Sequence, residues 1–238
     1  MKLLSYMKGT VCMVLRKHKL FFVGGLLVLS ACIEGVAAIK DYREAKEVFW
    51  ETVYPNGYTV YCNKKFKSFW REDINVEHVF PMAWVKNALQ CGTRKECRSN
   101  SRLFNKIEGD LHNLYPAISH LNYERQSYRF GEVKGEKRHY GEECDFEVDK
   151  HKRVAEPRAA VRGDLARSML YMENQYRDVG LKLFNKQASL MLQWHDIDPP
   201  SKEEVERNDR IERLQGNRNP FIDDPSFARE YAKQRKSN

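Results

Sequence analysis

The stretch Asp73-Ile-Asn-Val-Glu-His-Val-Phe-Pro-Met-Ala-Trp84 constrains this chain more than any other. Its β-branched and aromatic residues run from Ile74 to Phe80 and stop at Pro81, which reads as a short strand meeting a turn. Inside the run a carboxylate, Glu77, sits beside an imidazole, His78. Adjacent strand residues point to opposite faces. The pair therefore serves one reacting centre only where the backbone bends or where the two groups approach from different sides. Taken alone, a surface Glu beside a partly buried His explains the dipeptide.

A second stretch, Gly109-Asp-Leu-His-Asn-Leu-Tyr-Pro116, follows a cysteine-bounded segment, Cys91-Gly-Thr-Arg-Lys-Glu-Cys97. Glu-His, then Arg-Lys-x-Cys, then Asp-Leu-His-Asn-Leu-x-Pro, in this order, closely resembles the bacterial endonuclease I family, periplasmic or secreted nucleases of the His-Me finger (ββα-metal) type. The resemblance continues through Glu156 to Arg167, Tyr171-Met-Glu-Asn-Gln-Tyr176 and Val205 to Pro220, and covers roughly residues 45 to 222. It implies an α+β fold, a single mixed domain built around a ββα-metal finger with several additional helices. One departure is local: the family commonly has Asn-Gly-Asp-Arg-x-Asn after the second stretch, whereas this chain reads Asn122-Tyr-Glu-Arg-Gln-Ser127. Asn122 and Arg125 survive, Tyr123 replaces a glycine and Ser127 an asparagine, which bears on loop geometry and substrate contacts.

Residues 20 to 31, Leu-Phe-Phe-Val-Gly-Gly-Leu-Leu-Val-Leu-Ser-Ala, form an apolar run preceded by Arg16, Lys17 and Lys19. That is the pattern of an export signal and is short for a membrane span. Residues 1 to 38 are expected to be a signal peptide cleaved after Ala38. A rival is lipoprotein processing at Leu29-Ser-Ala-Cys32, with a lipid anchor on Cys32. The segment holds five of the 41 basic residues and one of the 33 acidic ones, so the remainder carries 36 against 32, a net charge of +4. Such a surplus suits an anionic partner without requiring one.

Of six cysteines, Cys12 and Cys32 lie in that segment, leaving Cys62, Cys91, Cys97 and Cys144. An exported chain tends to oxidise such a set. Spacing alone does not fix the pairing; Cys91 with Cys97 is sterically reasonable, and Cys62 with Cys144 is then left. The family usually has more cysteines, and Lys64 and Val205 stand where two are expected, consistent with the loss of one bridge.

The nuclease domain is expected over 39–225. Residues 39 to 54 read as a helix with Ala45, Val48, Phe49 and Val53 on one face, and Tyr58 to Cys62 as a strand. Residues 85 to 100 read as an irregular surface segment, 101 to 114 as the metal-bearing helix with Asn113 near its end, and 117 to 152 as loop with an edge strand at Phe146 and Val148. Val161, Leu165, Met169, Met172 and Tyr176 mark an amphipathic helix, and a further helix is expected from Leu181 to about Trp194. Ser201 and Glu204 form a capping-box pattern, with Gly216 as that helix's stop. Residues 226–238 read as a mobile basic tail.

Hydrolysis of a phosphodiester needs a water made nucleophilic, neutralised phosphoryl oxygens and help for the departing 3′ oxygen. A neutral imidazole can accept the water proton, and a hard divalent cation suits the other two needs. By the resemblance, His78 is the general base, Glu77 and Asn113 are the ligands of Mg²⁺ or another divalent cation such as Mn²⁺ or Ca²⁺, and Arg94 holds the phosphate or product through its forked guanidinium. His112, turned about 100° from Asn113 on a helix, reads as structural. No His-Glu-x-x-His or Gly-x-Ser-x-Gly occurs, which removes the usual zinc-protease and serine-hydrolase patterns. The expected protein is a monomeric, periplasmic or secreted enzyme acting on DNA and RNA, with no membrane span in its mature form. The alternative is a secreted nucleic-acid-binding protein on the same fold without turnover.

Overall fold

Helix α1 (Tyr42–Val48) starts where the Asp41 carboxylate accepts hydrogen bonds from the backbone N–H groups of Arg43 and Glu44, and a π-helical turn, Phe49–Val53, continues it. Ala45, Phe49 and Val53 are buried, as the apolar spacing predicts. The computed structural model describes residues 39–69, 72–135 and 138–237, so the expected signal and the Cys32 alternative lie outside the described residues. After α1 a short hairpin pairs β1 (Gly57–Tyr58) with β2 (Lys65–Phe66). The strand expected to reach Cys62 stops at Tyr58, because Asn63 turns the chain in the left-handed region and Thr59 Oγ1 accepts from the Lys64 N–H.

Strand β3 (Ile74–His78) carries the Glu-His pair to its last two positions. The segment expected to be irregular is instead helical, as α2 (Met82–Leu89) and α3 (Arg94–Asn100). Local rules account for both: Gln90 and Gly92 take positive φ between them, and Thr93 with Glu96 closes a capping box at the start of α3. The single helix expected over 101 to 114 is also divided. Helix α4 (Arg102–Glu108) stops at Gly109, and Asp110 caps a 3₁₀ turn, Leu111–Asn113, which leads straight into β4 (Leu114–Ile118).

Strand β4 runs antiparallel to β3 with Glu77 opposite Tyr115 and His78 opposite Leu114. The chain then enters α5 (Ser119–Arg125), where the sequence suggested only loop, and Asn122 Nδ2 ties that helix to the β3 backbone at Val76 O, 3.1 Å away. Two antiparallel strands and the helix after them therefore form one unit around the end of β3. Strands β5 (Arg129–Phe130), β6 (Glu147–Asp149) and β7 (Val154–Glu156) make a small sheet in the order β5-β7-β6, with β6 at its edge as expected.

Helix α6 (Arg162–Tyr176) is the central element of the main core; Leu165, Met169, Met172 and Tyr176 are all buried there. Helix α7 (Asn185–Ile197) packs along it, contributing Met191 and Trp194. Helix α8 (Lys202–Gln215) has the predicted Ser201–Glu204 capping box and stops at Gly216 with φ 83°. Arg167 of α6 is fully buried in a bidentate pair with Glu204, its Nε and Nη2 lying 2.7 and 2.5 Å from the two carboxylate oxygens. After a short α9 (Pro220–Asp223), the residues read as a mobile tail form α10 (Phe227–Ser237) instead. Ala228 and Tyr231 are buried and Arg235 pairs with Glu173 on α6, so three residues at helical spacing hold the segment against the core. None of the helices among the described residues is long and apolar enough to cross a membrane.

Candidate active site

A cleft of about 510 Å³ opens at the end of β3. Because the strand stops at His78, both Glu77 and His78 border it despite leaving the strand on opposite faces. Arg94 and Arg98 of α3, Lys86 of α2, Tyr42 of α1 and Asn122 of α5 complete its polar walls.

His78 is almost fully buried, and its Nε2 lies 3.0 Å from the backbone oxygen of Glu108. A carbonyl oxygen only accepts, so Nε2 carries the ring proton and Nδ1 keeps its lone pair. Burial, reinforced by the Arg94 charge, lowers the imidazole pKa from 6.5 to about 4, which keeps the ring neutral near pH 7. The Tyr42 ring packs against it with centroids 5.0 Å apart.

Glu77 is buried too, and burial raises its pKa. Three contacts favour its charged form: Arg125 Nη1 at 2.9 Å from Oε1, the Tyr61 hydroxyl, which donates to the same oxygen at 2.7 Å, and the His78 backbone N–H. Arg125, itself buried, also donates to the backbone oxygens of His78 and Val79, at 3.0 and 2.5 Å. It thereby braces the backbone that presents the pair. Oε1 takes both side-chain donors, which leaves Oε2 the oxygen without a side-chain partner.

The second metal ligand expected from the sequence, Asn113, is not at the cleft. Its side chain is fully buried, with Oδ1 accepting from the Phe80 N–H at 2.6 Å and Nδ2 donating to the Phe80 oxygen at 3.0 Å. Both ends of the carboxamide are spent on joining the start of β4 to the chain just after β3. Asn122 borders the cleft instead. Its Nδ2 donates to Asn75 Oδ1 at 2.8 Å and to Val76 O, which leaves Oδ1 as an oxygen donor. The surviving Asn122 and Arg125 of the departed motif were the sequence signal for both residues. Tyr61, Glu108, Tyr42 and Arg98 carried no signal of their own.

Arg94 stands at the cleft, its side chain 46% exposed and its Nε 2.6 Å from Glu108 Oε1. Arg98 reaches both oxygens of the same carboxylate, at 2.7 and 2.9 Å. Burial works against the charge on Glu108, but the hydrogen bonds from Arg98 and Arg94 outweigh it and hold the carboxyl below its usual range. One residue thus fixes the two arginines through its side chain and the His78 tautomer through its backbone. His112, by contrast, is buried against Tyr171 with Nε2 3.2 Å from Asn217 O, a structural setting.

The donor set fits a hard divalent cation. Among the described residues no group of three or more His, Cys, Asp or Glu gathers to hold an ion. One carboxylate and one amide oxygen therefore leave most positions of an octahedral ion to water and substrate, the arrangement that Mg²⁺ tolerates well. Both expected disulfides, Cys62–Cys144 and Cys91–Cys97, are formed, and the second bridges the corner between α2 and α3.

Residues 41–226 match the Endonuclease I family. The chain is 46% identical over 154 residues to a periplasmic deoxyribonuclease of Aeromonas hydrophila, an alignment covering 63% of each protein. It is 37% identical over 209 residues to an extracellular deoxyribonuclease of the same organism, covering 78% of this chain and 89% of that one. With an extracellular ribonuclease of Bacillus subtilis (strain 168) it shares 32% identity over 173 residues, 66% of this chain and 54% of the relative. The chain thus spans just under two thirds of the periplasmic relative and most of the extracellular deoxyribonuclease.

Proposed function

The chain belongs to the endonuclease I family, and on that premise we propose that it is a periplasmic or secreted, metal-dependent endonuclease that hydrolyses phosphodiester bonds in DNA and RNA. The observation that carries the reading is the setting of His78, buried with Nε2 3.0 Å from the Glu108 carbonyl oxygen at the edge of a cleft bordered by Glu77, Asn122 and Arg94.

In this reading Nδ1 of His78 takes a proton from water as the water oxygen bonds to phosphorus and the bond to the 3′ oxygen breaks. Positioned general-base help of this kind is typically worth about a hundredfold to ten-thousandfold. Glu77 Oε2 and Asn122 Oδ1 would hold the cation, in place of the expected Glu77 and Asn113. When bound, Mg²⁺, Mn²⁺ or Ca²⁺ neutralises charge on the phosphoryl and departing 3′ oxygens. Arg94, anchored through Nε, keeps its terminal nitrogens for phosphate, and Arg98 and Lys86 extend the positive wall. Chemistry aimed at the phosphate carries no base identity, which gives low sequence preference. All these groups come from one chain, so a monomer suffices. The periplasmic and extracellular relatives and the two disulfides support an exported protein.

The test mixes the oxidised protein with supercoiled plasmid and with single-stranded RNA, in Mg²⁺ or in excess chelator, beside His78→Ala. Nicking that needs the metal and falls at least about a hundredfold in the variant is the expected result. A folded wild type that binds plasmid and never cuts it with any divalent ion establishes the binding-protein alternative instead.

A further inference from the structure

Helix α5 forms a ridge with a hollow on either side. Asn122, Gln126 and Ser127 border the cleft described above. His120 and Leu121 line a second hollow together with Lys64 and Lys65. Between the two groups stands Tyr123, 74% exposed, the highest value of any large apolar side chain among the described residues. Successive residues on a helix are turned by about 100°, and residues three apart are surface neighbours. Tyr123 is therefore turned about 100° from Asn122, toward solvent on the crest of the ridge.

A nucleotide whose phosphate lies between Glu77 and Arg94 must carry its sugar and base out over a wall of the cleft, and α5 is one of those walls. The hollow on the far side of the ridge holds Lys64 and Lys65 beside Glu142 and Glu143, so the ring, rather than charge there, is what α5 offers a nucleotide. In a duplex both faces of each base are covered by its neighbours, whereas an unpaired base offers a free face to an aromatic ring. We propose that Tyr123 stacks on an unpaired base next to the scissile phosphate, making single-stranded DNA or RNA a better substrate than duplex. The proposal rests on the nuclease reading of the cleft and adds a substrate class to it.

The test compares wild type, Tyr123→Ala and Tyr123→Phe on a short oligonucleotide and on the same sequence as a duplex. Loss of one stacked base should raise KM for the single strand roughly five- to a hundredfold in the alanine variant, with Tyr123→Phe close to wild type. The duplex KM should move less than about twofold. The loss belongs in KM, since the ring touches neither water nor the scissile phosphate. A change that is equal on the two substrates, no change on the single strand, or a phenylalanine variant as weak as the alanine one would each overturn the proposal. Should the wild type cut neither substrate with any divalent ion, the nuclease reading fails by itself. Fluorescence anisotropy of the same oligonucleotides in excess chelator then decides the stacking by the same ratios.

Discussion

Asn113 and Asn122 sit on either side of β4, and only their environments tell them apart. Asn113→Ala leaves the buried N–H of Phe80 without its acceptor, which costs about 1–3 kcal/mol and should appear as a lower urea midpoint whether or not metal is present. Asn122→Ala, half at the surface, should leave that midpoint nearly unchanged while lowering metal-dependent cutting by about tenfold or more and raising the metal concentration needed for half activity. The reverse pattern would return the ligand role to Asn113. His78 makes a separate prediction. With a pKa lowered to about 4, its neutral form persists as the pH falls, and protonation removes the base only near that value. At saturating metal, kcat/KM should therefore change less than about twofold from pH 7.5 to 5.5, where a base of pKa about 6.5 would lose roughly tenfold. A tenfold fall over that interval would mean the ring is not held in the dry setting described. Glu77, His78 and Arg94 were legible because their order is a linear pattern. Tyr61 and Glu108 were not, because a residue that braces another from 16 or 30 positions away leaves no local periodicity.

Elements followed the same division. Helices α6 and α8 were readable, one through an apolar stripe long enough to repeat and the other through its capping box and terminal glycine. Helices α2, α3 and α5 have seven or eight residues each, too few for periodicity to separate from loop, and short helices gain most of their stability from packing. The C-terminal segment misled for another reason: its many charges conceal Ala228, Tyr231 and Arg235 at helical spacing. Tyr231 is fully buried and its hydroxyl donates to Glu173 at 2.5 Å. Tyr231→Ala should cost about 3–5 kcal/mol by the measure of large aromatic truncations, read by denaturant unfolding. A cost below about 1 kcal/mol would show that α10 does not help hold the core in solution.

For the molecule as a whole, two disulfides do different work. In the chain-entropy account, cross-linking stabilises more as the closed loop lengthens. Cys62–Cys144 spans 82 positions and Cys91–Cys97 only 6. The first should contribute about 4 kcal/mol and the second about 2. Stability therefore predicts that a Cys62→Ser, Cys144→Ser protein is the weaker of the two pairwise variants in urea. Activity predicts the opposite order. The long bridge ties the β1–β2 turn to the segment before β6, away from the arginines, whereas the short one closes the corner from which α3 presents Arg94 and Arg98 to Glu108. Cys91→Ser, Cys97→Ser should unfold at a higher urea concentration than the other variant, yet below that midpoint cut plasmid more slowly. Melting and plasmid nicking, measured on both variants at a temperature where each is folded, separate the two effects. If the variant lacking the long bridge is both less stable and less active below its midpoint, the short bridge has no special hold on the site, and Glu108 alone keeps the arginines in place.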